Sequence, residues 1–142
     1  MQLALEEAEA AFLKGEVPIG AVAVKNGEVI AKAHNLREIL KDPTAHAEVL
    51  VMRQAAEVLG TWHLNDVTIY VTLEPCPMCA GAMLQARLTQ VVFGTMDAKA
   101  GAVGSVINIL ESRQFNHQVQ VIAGIMEEEC KEILQRFFLT KR

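Results

Sequence analysis

Apolar residues recur at helical spacing at the start of the chain. Met1, Ala4, Leu5, Ala8, Ala11 and Phe12 are interleaved with Glu6, Glu7 and Glu9, and Gly15 follows as a stop. This spacing predicts an amphipathic first helix over Met1 to Lys14, with no recognisable cap at its start. The period then shortens. Ile19 to Val24 and Glu28 to Ala33 are rich in Val, Ile and Ala and flank Asn26-Gly27, a pair that tolerates positive φ and predicts a two-residue hairpin between antiparallel strands. After a polar loop, Asp42-Pro43-Thr44 predicts a helix start, with Asp42 or Thr44 as cap and Pro43 in the first turn, and a helix running to about Leu59. Thr68 to Leu73 is β-branched and aromatic and reads as the third strand. Glu74-Pro75 ends it, and Cys76 to about Arg87, rich in Ala, Met and Leu, reads as the third helix. Gln90 to Phe93 predicts a fourth strand, Gly94 to Ser105 a Gly/Ala-rich loop, Val106 to Leu110 a short helix and Val119 to Ile122 a fifth strand. The last helix runs from about Met126 to Leu139. It begins with Glu127, Glu128 and Glu129 and has Arg136, Lys141 and Arg142 at or beyond its end, the charge order that a helix dipole favours. Strands alternating with helices after an opening hairpin imply an α/β sandwich on a mixed sheet.

Composition narrows the class without naming it. A chain of 142 residues has the ordinary size of one domain, so residues 1–142 are expected to pack around a single core. With 51% hydrophobic and 21% charged residues it has the balance of a folded protein. No run approaches the roughly 18 apolar residues that span a bilayer, and acids outnumber the single Lys14 in the opening segment, unlike a signal peptide. The expectation is a cytoplasmic protein. A net charge of −4 argues against a broad electrostatic grip on nucleic acid and leaves room only for a local basic patch. Three cysteines, Cys76, Cys79 and Cys130, are an odd number in a chain of cytosolic character, so a disulfide framework is not expected and the Cys-x-x-Cys pair needs another explanation.

That explanation comes from His46-Ala47-Glu48, opening one helix, and Pro75-Cys76-Pro77-Met78-Cys79, opening the next. Residues three apart on a helix share a face, with Cβ atoms about 5–6 Å apart, a span that one tetrahedral zinc can bridge. The positive end of a helix lowers thiol pKa and favours the thiolates that bind metal, and a neutral His46 completes three ligands. An unfilled fourth position can hold a water of lowered pKa, which makes it a nucleophile. Glu48, about 200° round the helix from His46, then points past the metal as a free carboxylate able to move protons. Cys-x-x-Cys alone suits a redox pair equally well, and Cys130 as a fourth ligand would close the site into a structural one. His46-x-Glu48 beside the cysteines favours the open, catalytic arrangement, with Cys130 a buried small hydrophobe.

His-x-Glu followed by Pro-Cys-x-x-Cys resembles the zinc-dependent nucleoside and base deaminases of the cytidine/deoxycytidylate superfamily. The wider segments Asp42 to Glu48, Val71 to Cys76, and Val92 to Gly94 with Asp97 to Ser105 resemble the bacterial tRNA adenosine deaminases. The resemblance implies a cytidine-deaminase-like, three-layer α/β/α sandwich with a mixed five-stranded sheet. It implies one Zn2+ per subunit on His46, Cys76 and Cys79, with Glu48 as proton shuttle. Adenosine at the wobble position (34) of a tRNA anticodon stem-loop would become inosine. By the same resemblance Asn35 contacts the target nucleotide, Asp97 and Lys99 contact the anticodon loop, and the last helix meets RNA at Phe137-Phe138. Amphipathic spacing allows only one of these two Phe to face inward, which leaves Phe138 free to stack on a base. The family's habit is a homodimer whose neighbouring subunit helps build the RNA surface. Lys99, Arg136, Lys141 and Arg142 are expected to concentrate positive charge near the active mouth. The same zinc core occurs in deaminases of free guanine or cytosine, and the Asp42 to Glu48 and Asp97 to Ser105 segments favour the RNA enzymes over them.

Overall fold

The computed structural model describes residues 1–141. The element order is α1 (Gln2–Leu13), β1 (Gly20–Lys25), β2 (Glu28–His34), α2 (Arg37–Leu40), α3 (Ala47–Leu59), β3 (Val67–Leu73), α4 (Pro77–Gln85), β4 (Gln90–Thr95), β5 (Gln120–Ala123) and α5 (Glu127–Thr140). The five strands form one sheet in the order β2-β1-β3-β4-β5. β1 is antiparallel to β2 and β3, while β3, β4 and β5 run parallel. The hairpin turns where the Asn-Gly pair predicts it, with φ of 53° at Asn26 and 77° at Gly27, the two positive values of a type I′ turn.

Strand register sorts the side chains into two layers. Ala23, Ile69 and Val91 pair in one row and Ala21, Val71 and Phe93 in the next. Period-two alternation puts all six on one face, where they pack with Val51, Met52 and Ala55 of α3 and Ala80, Met83 and Leu84 of α4. The intervening positions carry α1 and α5. At Gly20 an added Cβ would lie 2.5 Å from the Ala8 backbone nitrogen, and at Gly94 it would lie 2.7 Å from Cys130 Cβ. Glycine at these two strand positions lets one helix on each side of that layer sit directly on the sheet, and Ala4, Ala8 and Ala11 keep the near face of α1 equally thin. The result is the three-layer α/β/α sandwich with a mixed five-stranded sheet.

Three local expectations are corrected. The polar loop after β2 contains a short helix, α2, held from outside as described below. Asp42-Pro43-Thr44 does not begin the next helix. Asp42 Oδ1 accepts from the Thr44 amide at 2.8 Å and the Thr44 hydroxyl at 2.7 Å, closing a local turn that competes with helix, and α3 starts at Ala47 with His46 as its extended N-cap. Val106 to Leu110 is not a helix. Its β-branched residues fold back as a bridge between Val103 and Asn108, and the Val106 amide donates to the Gly101 carbonyl. Among the described residues no helix is long and apolar enough to cross a membrane. The charge order expected of the last helix includes Arg142, which lies outside the described residues; Lys141 is its C-cap.

Candidate active site

β3 and β4 are parallel, so their carboxyl ends open at the same edge of the sheet, the usual place for a cleft in an α/β fold. β3 runs out through Glu74-Pro75 into Cys76, the extended N-cap of α4, and Pro77 takes the first helical position, where its missing N–H costs nothing. His46 caps α3 in the same extended conformation. Two helix N-termini therefore converge, and their positive ends favour anionic sulfur.

His46 Nδ1 lies 3.7 Å from Cys76 Sγ and 3.5 Å from Cys79 Sγ. The three ligand atoms all fall within 4.8 Å of one another, and among the described residues no other such group of His, Cys, Asp and Glu is present. Bond lengths of about 2.0 Å to nitrogen and 2.3 Å to sulfur at a tetrahedral angle separate N and S by roughly 3.5 Å, so the donor set fits a zinc-sized ion. Cys130 is buried against Gly94 and takes no part in the group. A hydrogen bond with Cys79, reinforced by His46, pulls the Cys76 thiol down to about 4, while the same bond and burial push Cys79 up. Contact with Cys76 raises His46 against the opposing effect of burial.

Glu48 is 4% exposed, outside the ligand group, and its Oε1 has no hydrogen-bond partner. Burial pushes its carboxyl up to about 7. A buried polar atom without a partner is costly and uncommon, and here it faces a cleft of about 620 Å³ lined by both helix caps. The arrangement brings together a trio that could hold a metal ion and, beside it, a carboxyl with an unpartnered oxygen.

The same cleft gathers Asn35, Asp97, Lys99 and Phe138 around His46, Glu48 and Cys76. Asn35 is already partly engaged. Its Nδ2 donates to the Val17 carbonyl at 3.2 Å and its Oδ1 accepts from the Arg37 amide at 3.1 Å, so it offers one N–H and one lone pair to a ligand. Asp97 Oδ1 accepts from the amides of Lys99 and Ala100, closing the turn that carries Lys99. Phe137 is 5% exposed and Phe138 52%, one inward and one outward. Arg136 does not line the cleft. One of its guanidinium nitrogens donates to both oxygens of Glu9 and the group lies over Phe12, and Lys141 lies over Phe137. Arg142 lies outside the described residues. The cation that joins Lys99 in the cleft is Arg37.

Sequence reasoning also missed Glu74, which is 2% exposed. Its Oε1 accepts from the Asp97 amide at 2.9 Å and from the Ser105 hydroxyl, and its Oε2 accepts from the amides of Val103 at 2.9 Å and Ser105 at 3.0 Å. Burial opposes ionisation, yet these four donors together lower its pKa. The loop that brings Asp97 and Lys99 to the cleft is thus bound to the residue two before Cys76. Gly101 is required beside it, because any Cβ there would collide with the carboxyl group.

Helix-borne His-x-Glu and Pro-Cys-x-x-Cys motifs meeting at the carboxyl ends of parallel strands define a metal-dependent hydrolytic deaminase. The sequence model of the MafB19-like deaminases matches residues 1–142, and the chain belongs to that family. It is 55% identical over 138 residues to the tRNA-specific adenosine deaminase of Bacillus subtilis, covering 97% of this chain and 86% of that protein. A solved structure from work on A-to-I editing by tRNA deaminases at the wobble position superposes with a TM-score of 0.91 at 46% identity, covering 94% of this chain and 97% of that one. The guanine deaminase of Bacillus subtilis superposes with a TM-score of 0.66 at 40% identity, covering 73% of this chain and 67% of that one.

Proposed function

We propose that the protein deaminates adenosine to inosine by hydrolysis at the wobble position of a tRNA anticodon. The observation that carries the reading is the unpartnered Glu48 Oε1, buried beside a His-Cys-Cys trio on the floor of a cleft large enough for a nucleoside. Kinship with proteins named tRNA-specific adenosine deaminases, at 55% and 49% identity, supports the choice of substrate.

His46, Cys76 and Cys79 would hold zinc, one ion per subunit. Bound there, zinc supplies the Lewis acidity that makes water a nucleophile near neutral pH. Glu48 accepts the proton of the attacking water and passes it to the adenine ring nitrogen. It then carries a proton to the departing amine, which leaves as ammonia. The unpartnered Oε1 suits this work, since a carboxyl with both oxygens saturated by fixed hydrogen bonds could not change protonation state twice in a cycle. The remaining amide hydrogen and lone pair of Asn35 hold the nucleotide. Lys99 and Arg37 place positive charge at the mouth of an otherwise acidic chain, Asp97 anchors the turn that presents Lys99, and Phe138 offers a ring for stacking on an extruded base. The exposed Ile39, Leu40, Val106 and Ile107 support a homodimer, and the absence of a membrane-crossing helix among the described residues is consistent with work in the cytoplasm.

Likeness to a guanine deaminase favours one alternative, a deaminase of free guanine or cytosine. Incubating the metal-loaded protein separately with an anticodon stem-loop, free guanine and free cytosine decides between them. Inosine in the RNA is the expected product, and ammonia release from a free base alone overturns the RNA reading.

A further inference from the structure

Glu16 lies between α1 and β1 with no exposed surface and no cationic partner among the ion pairs of the described residues. A buried carboxylate in that position is costly unless something replaces its water. The replacement comes from α2. Glu16 Oε1 accepts from the Glu38 amide at 3.0 Å and Oε2 from the Ile39 amide at 2.7 Å, so both oxygens serve the open first turn of a helix 22 and 23 residues further along. Asp, Asn, Ser or Thr at the N-cap commonly does this for its own helix, but α2 has Leu36 there, with no side-chain cap. A helix of one turn does not persist on local interactions alone. Its place is set by Glu16.

Through α2 this carboxylate reaches the substrate cleft. Arg37, the first residue of the helix, and Asn35, two positions earlier, both line the cleft. The segment that carries Glu16 meets them a second time: the Asn35 amide donates to the Ile19 carbonyl at 3.0 Å and its Nδ2 donates to the Val17 carbonyl. Glu16 to Ile19 and Asn35 to Ile39 therefore form one stitched wall, with Glu16 at the end farthest from Asn35. None of the bonds made by Glu16 touches the His-Cys-Cys trio or Glu48, and the wall meets the floor through a backbone bond, from the Leu36 amide to the carbonyl of Ala45.

We infer that Glu16 is a positioning residue for the nucleic-acid substrate, acting through α2 to hold Asn35 and Arg37 in the geometry that binds RNA. The inference rests on the RNA reading proposed above. Glu16→Gln tests it. The amide keeps the shape of the side chain but has one acceptor oxygen, so its NH2 must face the N–H of either Glu38 or Ile39 and one stitch is lost. The expected result on metal-loaded protein is a KM for the anticodon stem-loop raised roughly tenfold, about the value of one hydrogen bond to a charged group. kcat should stay within about twofold and bound metal should not change. Hydrogen exchange should quicken in the peptide spanning residues 35–41 and stay as before in those holding His46, Cys76 and Cys79. A folded variant with unchanged KM, or with kcat reduced at constant KM, overturns the inference. If Glu16→Gln does not fold, Glu16→Asp, which keeps both oxygens on a shorter arm, is judged by the same readings. Unmodified protein that acts on free guanine and not on the stem-loop would instead overturn the RNA reading.

Discussion

Glu48→Gln should raise stability and abolish turnover at once. The carboxyl is 4% exposed and its Oε1 has no partner, so the fold keeps a polar atom from water without compensation. Mutational experience sets that cost at about 1–3 kcal/mol, and an isosteric neutral amide removes the part due to charge without opening a cavity. The amide remains a buried polar group, so only that part is recovered: a gain of about 1 kcal/mol is expected, which for a domain of this size is a rise in Tm of roughly 3 °C. Turnover moves the other way. A positioned acid–base group contributes about 10²–10⁴-fold, and in the proposed mechanism the same carboxyl serves both the attack of water and the departure of the amine, so a loss of at least about 10²-fold is expected. Thermal unfolding, metal content by elemental analysis and single-turnover formation of inosine on one preparation measure all three quantities. Metal retained with Tm raised and turnover lost fits a free, strained proton carrier. Metal lost together with Tm would make Glu48 a ligand, and undiminished turnover would remove it from the reaction.

Other predictions follow from the same packing. His46→Ala and Cys79→Ala should each lose bound metal and melt earlier, because energy of binding at such a site is also energy of folding; elemental analysis beside a melting curve tests this. Phe138→Ala should weaken stem-loop binding by about 1–3 kcal/mol in a titration and leave Tm unchanged, as expected of a base-stacking ring. Phe137→Ala should do the reverse, costing about 3–5 kcal/mol in denaturant unfolding as a buried aromatic is removed. Gly94→Ala should destabilise by about 1–3 kcal/mol in the same assay, since its Cβ would fall 2.7 Å from Cys130 Cβ and 2.8 Å from the Thr72 carbonyl oxygen.

What could be read along the chain depended on whether the signal was carried by side chains close together in sequence. Asn26-Gly27 specified its turn because few other pairs accept two positive φ angles in succession. Cys76 and Cys79 declared a shared face through their spacing, and His46 and Glu48 opened a helix as expected, although that helix begins later than Asp42 and Thr44 suggested. Those two residues spent their capping capacity on each other, a choice that local preference alone does not decide. Val106 to Leu110 misled for a related reason. A short apolar run suits a helix or an extended bridge equally, and pairing of Val103 with Asn108 settled it. Arg136 looked like a cation for RNA because Glu9, its partner, lies 127 residues away.

Glu16 and Glu74 were beyond such reading for a deeper reason. Every donor to their oxygens except the Ser105 hydroxyl is a backbone N–H, a group every residue but proline possesses, so no pattern of residue types announces the contact. A faint signal exists in Glu16-Val17-Pro18-Ile19 and Leu73-Glu74-Pro75, where a single acid adjoins apolar residues and a proline. One such acid fixes the α2 side of the cleft and the other fixes the Asp97 to Ser105 loop, while the metal trio and Glu48 sit between them. The division has a mechanical consequence. The floor draws its geometry from helix caps and side-chain ligands, whose identities the chemistry dictates. The walls draw theirs from backbone clamps, which leave the exposed residues of α2 and of the loop free to differ without loosening the scaffold. Discrimination between a tRNA loop and a free base should therefore reside in wall residues such as Arg37 and Lys99, and the acids beneath them should govern KM far more than kcat.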